Sequence, residues 1–230
     1  MRRERYETLE LSASAALFFG SLVLNRFAGA YIDKVGETAH TSPDLLLGFL
    51  PIVDMRFLYL GGFAVFAAMA VLHTLWRERP RAAYIARNFA LLIAARSALM
   101  ILTPMKVPAG TLAVDGYRFY DTVGRFFTAR NDLFFSLHTG IPFMGFLVFT
   151  DRAAKRACLA FSLIMAATVL LGRHHYSIDV AGAYLITYSL YRLEKRWFEA
   201  PYRSFMRGLD GALKRGEKPS FLPQDDPSSL

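Results

Sequence analysis

The chain has 230 residues, 54% of them apolar, with 20 Phe, 11 Tyr, one cysteine and a formal charge of +8. That composition fits a multi-span membrane protein better than a soluble domain, and the lone Cys158 excludes an internal disulfide or a cysteine-based zinc cluster. The positive charge does not point to nucleic acid, because Lys and Arg gather in short segments between apolar runs and in the C-terminal tail, as in cytoplasmic loops.

No internal repeat is visible. The start, MRRERYETLE followed by a long apolar run, reads as an uncleaved first span, expected at 11–32. Asn25 and Arg26 fall near its far end, where Arg26 can snorkel to headgroups. LLLGFLPIV, 45–53, lies between Asp44 and Asp54 and is too short to cross, so a re-entrant or interfacial piece is expected. A second span, free of charge, is expected at 57–76. The basic segment RERPRAAYIAR precedes a third at 88–105, with Arg96 near its middle. Residues 106–130 are polar and aromatic, long enough for a lid or a surface helix. Tyr117, Phe119 and Tyr120 read there as interfacial anchors sooner than as a lipid gate.

Three further spans are expected at 133–150, 157–172 and 176–191, with DRAAKR as the loop between the first two. The tail, 192–230, is basic, amphipathic in part as for a helix lying on an anionic leaflet, and disordered over its last dozen residues. The expected fold is all-α: six transmembrane helices in one bundle. The bias of Lys and Arg between loops puts both termini in the cytoplasm.

The chemistry concentrates in GRHHYSIDVAGAYLITY, Gly172 to Tyr188. His175 and Asp179 are four positions apart, and on a helix they would share a face. The carboxylate can then hold one ring nitrogen and leave the other free to react. An aspartate inside an apolar run is a functional candidate by default. His138 opens the fourth span, and a helical hairpin returns the chain to the same membrane depth just before His175. Two imidazoles and a carboxylate suit phosphoryl transfer. His175 would attack phosphorus, and His138 would protonate the leaving alkoxide and then take a proton from the acceptor. Lys106, Arg130 and Arg173 lie on the same face as cationic partners for phosphate, and Arg96 can reach it from within the bundle.

These residues resemble the sphingomyelin synthase family, a branch of the type 2 phosphatidic acid phosphatase superfamily. The family's C-G-D-x-x-x-S-G-H-T run is matched by NDLFFSLHT, which supplies Asp132, Ser136, His138 and Thr139. Its H-Y-T-x-D-V-x-x-A-Y-x-x-T run is met by HYSIDVAGAYLIT, with Tyr176 conforming and Ser177 in place of Thr. RSALMILTPMKVP and LGFLPIVD resemble weaker family features, so the likeness runs from about Leu45 to Tyr191. It implies six spans, an active site on the lumenal or periplasmic side, no metal or other cofactor, and His138, His175 and Asp179 as a catalytic triad. Asp132, Ser136, Tyr176, Arg96, Lys106 and Arg173 would then serve the substrate. The sequence departs from the pattern at Leu137, where the family has glycine, and at His174, where it usually has an acid. A further family acid before the fourth span would fall to Asp115 or Asp121.

The expected activity is transfer of a phospho-headgroup from a glycerophospholipid to a lipid hydroxyl such as ceramide or diacylglycerol. A lipid phosphatase or phospholipase C-type hydrolase would use the same triad with water as acceptor. A non-enzymatic membrane protein is a third reading, opposed by the complete triad and by the lack of transporter-like halves. Zinc held by His138, His174 and His175 is a fourth, opposed by the scarcity of histidines.

Overall fold

The computed structural model describes residues 2–36, 38–114 and 131–215. The roles raised for Asp115, Tyr117, Phe119, Tyr120, Asp121 and Arg130, and for the last dozen residues, lie outside the described residues.

Helix α1, Arg2–Gly36, starts well before the expected span. RRERYETLE is built of good helix formers and continues the apolar stretch without a break. Helix α2, Leu45–Phe49, is one short turn in which Asp44 accepts the Leu47 N–H at 3.0 Å. Leu50 is extended, as a residue before proline prefers to be. The LGFLPIV piece is therefore a capped turn followed by extended chain.

Helix α3, Leu58–Trp76, opens with a π-helical turn, Leu58–Gly62, that buries Tyr59 and Leu60. Beyond that turn none of its side chains is buried. Val65, Met69 and Leu72 are exposed, an apolar surface suited to lipid. A 3₁₀ turn, Arg79–Arg81, leads into α4, Ala82–Leu102. Most of the basic segment expected to precede the third span is therefore helix.

Helix α5, Leu137–Val148, has only 12 residues. Helix α6, Arg152–Leu171, absorbs the expected DRAAKR loop because Asp151 caps it, accepting the Ala154 N–H at 2.7 Å. Helix α7, Ser177–Glu194, runs on through a π turn, Lys195–Glu199, into α8, Ala200–Lys214.

The described residues are helical and contain no strand. Four helices are long and apolar enough to cross a membrane: Glu4–Gly36, Leu58–Trp76, Arg79–Leu102 and Arg152–Leu171. The expected count of six is supported for these four. Helix α5 is too short, at about 18 Å against a hydrocarbon core of about 30 Å. Helix α7 carries many polar groups along its 18 residues.

The main core joins Tyr84, Ile85 and Leu92 of α4 to Phe135, Met144 and Val148, and to Cys158 of α6 and Ala183 of α7. A second cluster links Tyr59 and Leu60 of α3 to Met165 and Val169 of α6 and Val180 of α7. Helix α1 docks on α4 through Ala28, Ile32 and Met100. Between helices in a bilayer such clusters act through close packing and dispersion, because lipid tails are as apolar as the side chains they replace, and that fit fixes the helix order.

Two ionic clusters close the end of the bundle where α5 meets α6. Arg87 of α4 is buried among Glu10 of α1 at 2.8 Å, Glu194 of α7 at 2.6 Å and Glu199 at 3.2 Å. Glu78 accepts the Thr150 N–H and hydroxyl, each at 2.6 Å, the Asp151 N–H at 3.2 Å and an Arg81 N–H at 3.0 Å. Its burial opposes ionisation, but these donors prevail and hold its carboxyl below the usual range. The apolar side of α8 lies against α1, where Phe205 packs edge-on to Tyr6 with ring centroids 5.2 Å apart. The amphipathic tail helix thus already has a protein partner on that side.

Candidate active site

At the opposite end, the connection between α6 and α7 folds back on itself. The His174 N–H donates to the Val169 carbonyl at 2.8 Å and the Arg173 N–H to the Leu170 carbonyl at 3.1 Å. This pair of bonds is a Schellman C-cap with Arg173 in the left-handed position, at φ 58°. Glycine usually stands there, because a side chain in that conformation costs about 1–2 kcal/mol. Gly172, just before it, is required for another reason. A Cβ at Gly172 would lie 2.8 Å from the His174 ring, which folds back over it. The cap carries His174 and His175 back toward the bundle interior.

His175 is 2% exposed and Asp179 fully buried. The Nδ1 of His175 lies 3.2 Å from Oδ2 of Asp179. The contact differs from the one expected along a single helix face. Helix α7 starts at Ser177, so His175 precedes it, and Asp179 reaches back across the N-terminus. The same Oδ2 accepts the Tyr176 N–H at 3.0 Å, and the Asp179 N–H donates to the Tyr176 carbonyl at 3.1 Å. One carboxylate thus satisfies an otherwise orphan helix N–H and orients the imidazole. With Oδ2 as acceptor, Nδ1 carries the proton and Nε2 keeps a lone pair.

His138 stands in the first turn of α5, where Pro142 removes the hydrogen bond its carbonyl would otherwise accept. The segment before α5 is irregular, ending extended at Ser136, and Leu133, Phe135 and Ser136 within it are buried. The Ser136 N–H donates to the Asp179 carbonyl at 3.2 Å, which joins the start of α5 to the first turn of α7. Gly140 permits close approach of the two helices: a Cβ there would lie 3.1 Å from the Thr187 hydroxyl.

Tyr59 joins the histidines. Its ring stacks on His138 at 4.1 Å and 21° and on His174 at 4.1 Å and 22°. Two rings cannot share one face at that spacing, so Tyr59 is sandwiched between them. Ser136 and Thr139, flanking His138, each bury a hydroxyl that makes no hydrogen bond among the described residues. Asp179 Oδ1 is likewise buried and unbonded.

The remaining predicted residues divide. Arg96, 1% exposed, forms an ion pair with Asp132, donates Nε–H to the Phe135 carbonyl at 3.1 Å and Nη1–H to Asn25 at 3.1 Å. Arg96 and Asp132 therefore hold each other and the lead-in to His138. The Tyr176 hydroxyl points away from His175, donating to the Lys106 carbonyl at 2.9 Å and accepting the Ser42 N–H at 3.0 Å. The Lys106 side chain is exposed. Arg173 donates to the Leu50 carbonyl at 3.2 Å, and its Nε is buried without a partner. His138, His175, Asp179 and Ser136 are brought together; Arg173 and Lys106 stand at the rim.

Residues 50–56 and 111–114 form that rim with the α6–α7 connection. The Val53 N–H donates to the Leu171 carbonyl at 3.0 Å, Thr111 to the Arg173 carbonyl at 2.6 Å, and Arg56 to the Ala113 carbonyl at 3.0 Å. Arg56 also grips Asp54 through two N–H groups at 2.9 and 2.6 Å. Those bonds hold the Asp54 carboxyl down to about 2. Burial, then the charges of His175 and Arg56, depress His174 to about 4. Asp44 accepts the Ser177 N–H at 2.6 Å, at the N-terminus of α7. Burial opposes its ionisation, but the N–H donors of Leu47 and Ser177 outweigh it and lower its pKa.

Tyr59, Asn25, Asp44 and Arg56 were not singled out as site residues from the sequence. Tyr59 is an isolated aromatic in an apolar run, and Asn25 was overshadowed by the snorkelling Arg26. Among the described residues, no three His, Cys, Asp or Glu side chains are grouped to hold a metal.

Residues 131–196 match the family model described as PAP2 superfamily C-terminal. The matched segment is under a third of the chain and contains Asp132, Ser136, His138, His175 and Asp179. It supports the type 2 phosphatidic acid phosphatase superfamily and, in general terms, lipid phosphatase or phosphotransferase chemistry. No curated protein and no solved structure matches the chain.

Proposed function

We propose that the chain is a membrane-embedded lipid phosphotransferase working through a phosphohistidine. The observation that carries this reading is the His175–Asp179 pair, joined to the start of the His138 helix by the Ser136–Asp179 hydrogen bond, with Tyr59 stacked between His138 and the neighbouring His174. Nε2 of His175 attacks the donor phosphorus while Nδ1–H stays on Asp179. The bond from phosphorus to the diacylglycerol oxygen breaks, and His138 gives that oxygen its proton. The headgroup phosphate is then held on His175. A lipid hydroxyl gives its proton to His138 and attacks phosphorus, releasing His175 unchanged. The hydroxyls of Ser136 and Thr139 are donors beside His138 for the phosphoryl oxygens. Arg96 and Asp132 act on the site indirectly, by fixing the segment that presents His138. On this reading both termini are cytoplasmic and the site opens to the periplasmic or lumenal side.

Hydrolysis of a lipid phosphate by the same triad is the second reading, favoured by the superfamily match. Purified protein given a labelled phospholipid, with and without ceramide or diacylglycerol, separates the two. A labelled lipid product supports transfer. Free phosphate or phosphoalcohol alone, whatever the acceptor, replaces transfer with hydrolysis.

A further inference from the structure

The charges at the rim do not cancel. Asp54 is matched by Arg56, and Asp44 by the N–H groups of Leu47 and Ser177. Arg173 and Lys106 have no carboxylate in ion-pairing range among the described residues. Arg173 meets only a backbone carbonyl, and its buried Nε lacks an acceptor. It also occupies a left-handed position that glycine would take without strain. Strain retained beside the candidate nucleophile, on a cation whose hydrogen bonding is incomplete, points to a ligand that completes it. The guanidinium stands at the rim against the Leu50 carbonyl while His175 lies buried, so the ligand it would complete is the outer part of the donor, the headgroup beyond its phosphorus. Among the described residues, no carboxylate at this rim is left unmatched to receive a quaternary ammonium.

We propose that Arg173, supported by Lys106 and His174, reads a phosphodiester headgroup that carries no cation, so that the site takes anionic phospholipids such as phosphatidylglycerol over zwitterionic choline lipids. The inference rests on the lipid phosphotransfer reading and names its donor class. The guanidinium donates to headgroup oxygens, and the rim's positive charge repels a trimethylammonium group.

The left-handed backbone supplies an unusually clean test, because Arg173→Gly deletes the guanidinium while easing the turn. Full-length protein in mixed micelles receives phosphatidylglycerol, phosphatidylcholine or phosphatidic acid of the same acyl chains, with one acceptor. The parent protein is expected to favour phosphatidylglycerol over phosphatidylcholine by about tenfold or more in kcat/KM, the scale of one charge-assisted hydrogen bond. Arg173→Gly is expected to melt no lower than the parent and to bring that ratio within about twofold, while Arg173→Lys retains part of it. If Arg173→Gly melts lower, Arg173→Gln, which keeps a donor for the Leu50 carbonyl, is read in the same way. Equal or better turnover of phosphatidylcholine by the parent overturns the proposal, as does a ratio that survives loss of the guanidinium. Turnover of phosphatidic acid alone would reassign the rim to a bare phosphate and overturn it too. Failure to turn over any of the three overturns both this proposal and the phosphotransfer reading, whereas turnover without the ratio overturns this one only.

Discussion

Asp179→Asn tests the nucleophile assignment most directly. Asn is nearly isosteric, and its one oxygen can stand where Oδ2 accepts both the Tyr176 N–H at 3.0 Å and His175 Nδ1–H at 3.2 Å. The hydrogen bonds can then persist while the negative charge beside the imidazole is removed. Positive charge develops on the ring as phosphorus bonds to Nε2, and the carboxylate meets it at 3.2 Å. At an effective dielectric of about 20, that attraction is roughly 5 kcal/mol, between three and four powers of ten in rate. The predicted outcome is a kcat about 10³–10⁴ below the parent, with KM within a few-fold, read by release of labelled headgroup in mixed micelles. Melting in detergent should move little, because the helix N-terminus keeps an acceptor. A rate within tenfold of the parent, with normal melting, would refute the assignment of His175 as an Asp179-held nucleophile.

His138→Ala is predicted to stop turnover of a natural lipid donor but to spare a nitrophenyl phosphodiester, whose leaving group needs no proton; equal loss on both would remove its acid role. Gly172→Ala places a methyl 2.8 Å from the His174 ring and is predicted to lower stability by about 1–3 kcal/mol, read as a lower melting temperature. Arg87→Ala strands the fully buried Glu194 carboxylate and is predicted to cost about 3–5 kcal/mol, with the melting temperature of the purified protein as the check. His174 ionises at about 4 in the fold against 6.5 unfolded, so the unfolded chain binds the extra proton between those values. Its contribution is therefore complete above about pH 6.5 and is lost as pH falls toward 4; His174→Phe should flatten that part of the melting-versus-pH curve.

The sequence displayed the candidate reacting groups more clearly than the means of assembling them. The spacing of His175 and Asp179 identified the pair, but the geometry that joins them is a helix N-terminus, not a shared helical face. Position i+4 is common to both arrangements, so spacing could not separate them. A helical hairpin would bring His138 and His175 to one end by two full crossings. Helix α5 is much shorter than α6; the Schellman turn folds His174 and His175 back, the irregular chain before α5 carries His138 inward, and Tyr59 stacks between His138 and His174. Tyr59 escaped notice because a lone tyrosine in an apolar run carries no spacing signal. Arg96 was recognisable as a buried mid-span cation, but its partners Asn25, Asp132 and Phe135 come from distant parts of the chain. Such pairings follow from three-dimensional packing and leave no local pattern.

The irregular segment ahead of α5 has a consequence for which acceptors compete. Non-helical backbone within a bilayer survives only where protein satisfies it, and Arg96 does this for the Phe135 carbonyl. Those residues take the place of the missing helical turns, and His138, the proposed acid, is left buried within the bundle. At that depth bulk solvent is dilute, while membrane alcohols are concentrated by the bilayer itself. On the proposed chemistry, the choice between transfer and hydrolysis then becomes a matter of local supply, and lengthening α5 toward the surface would shift the balance toward water.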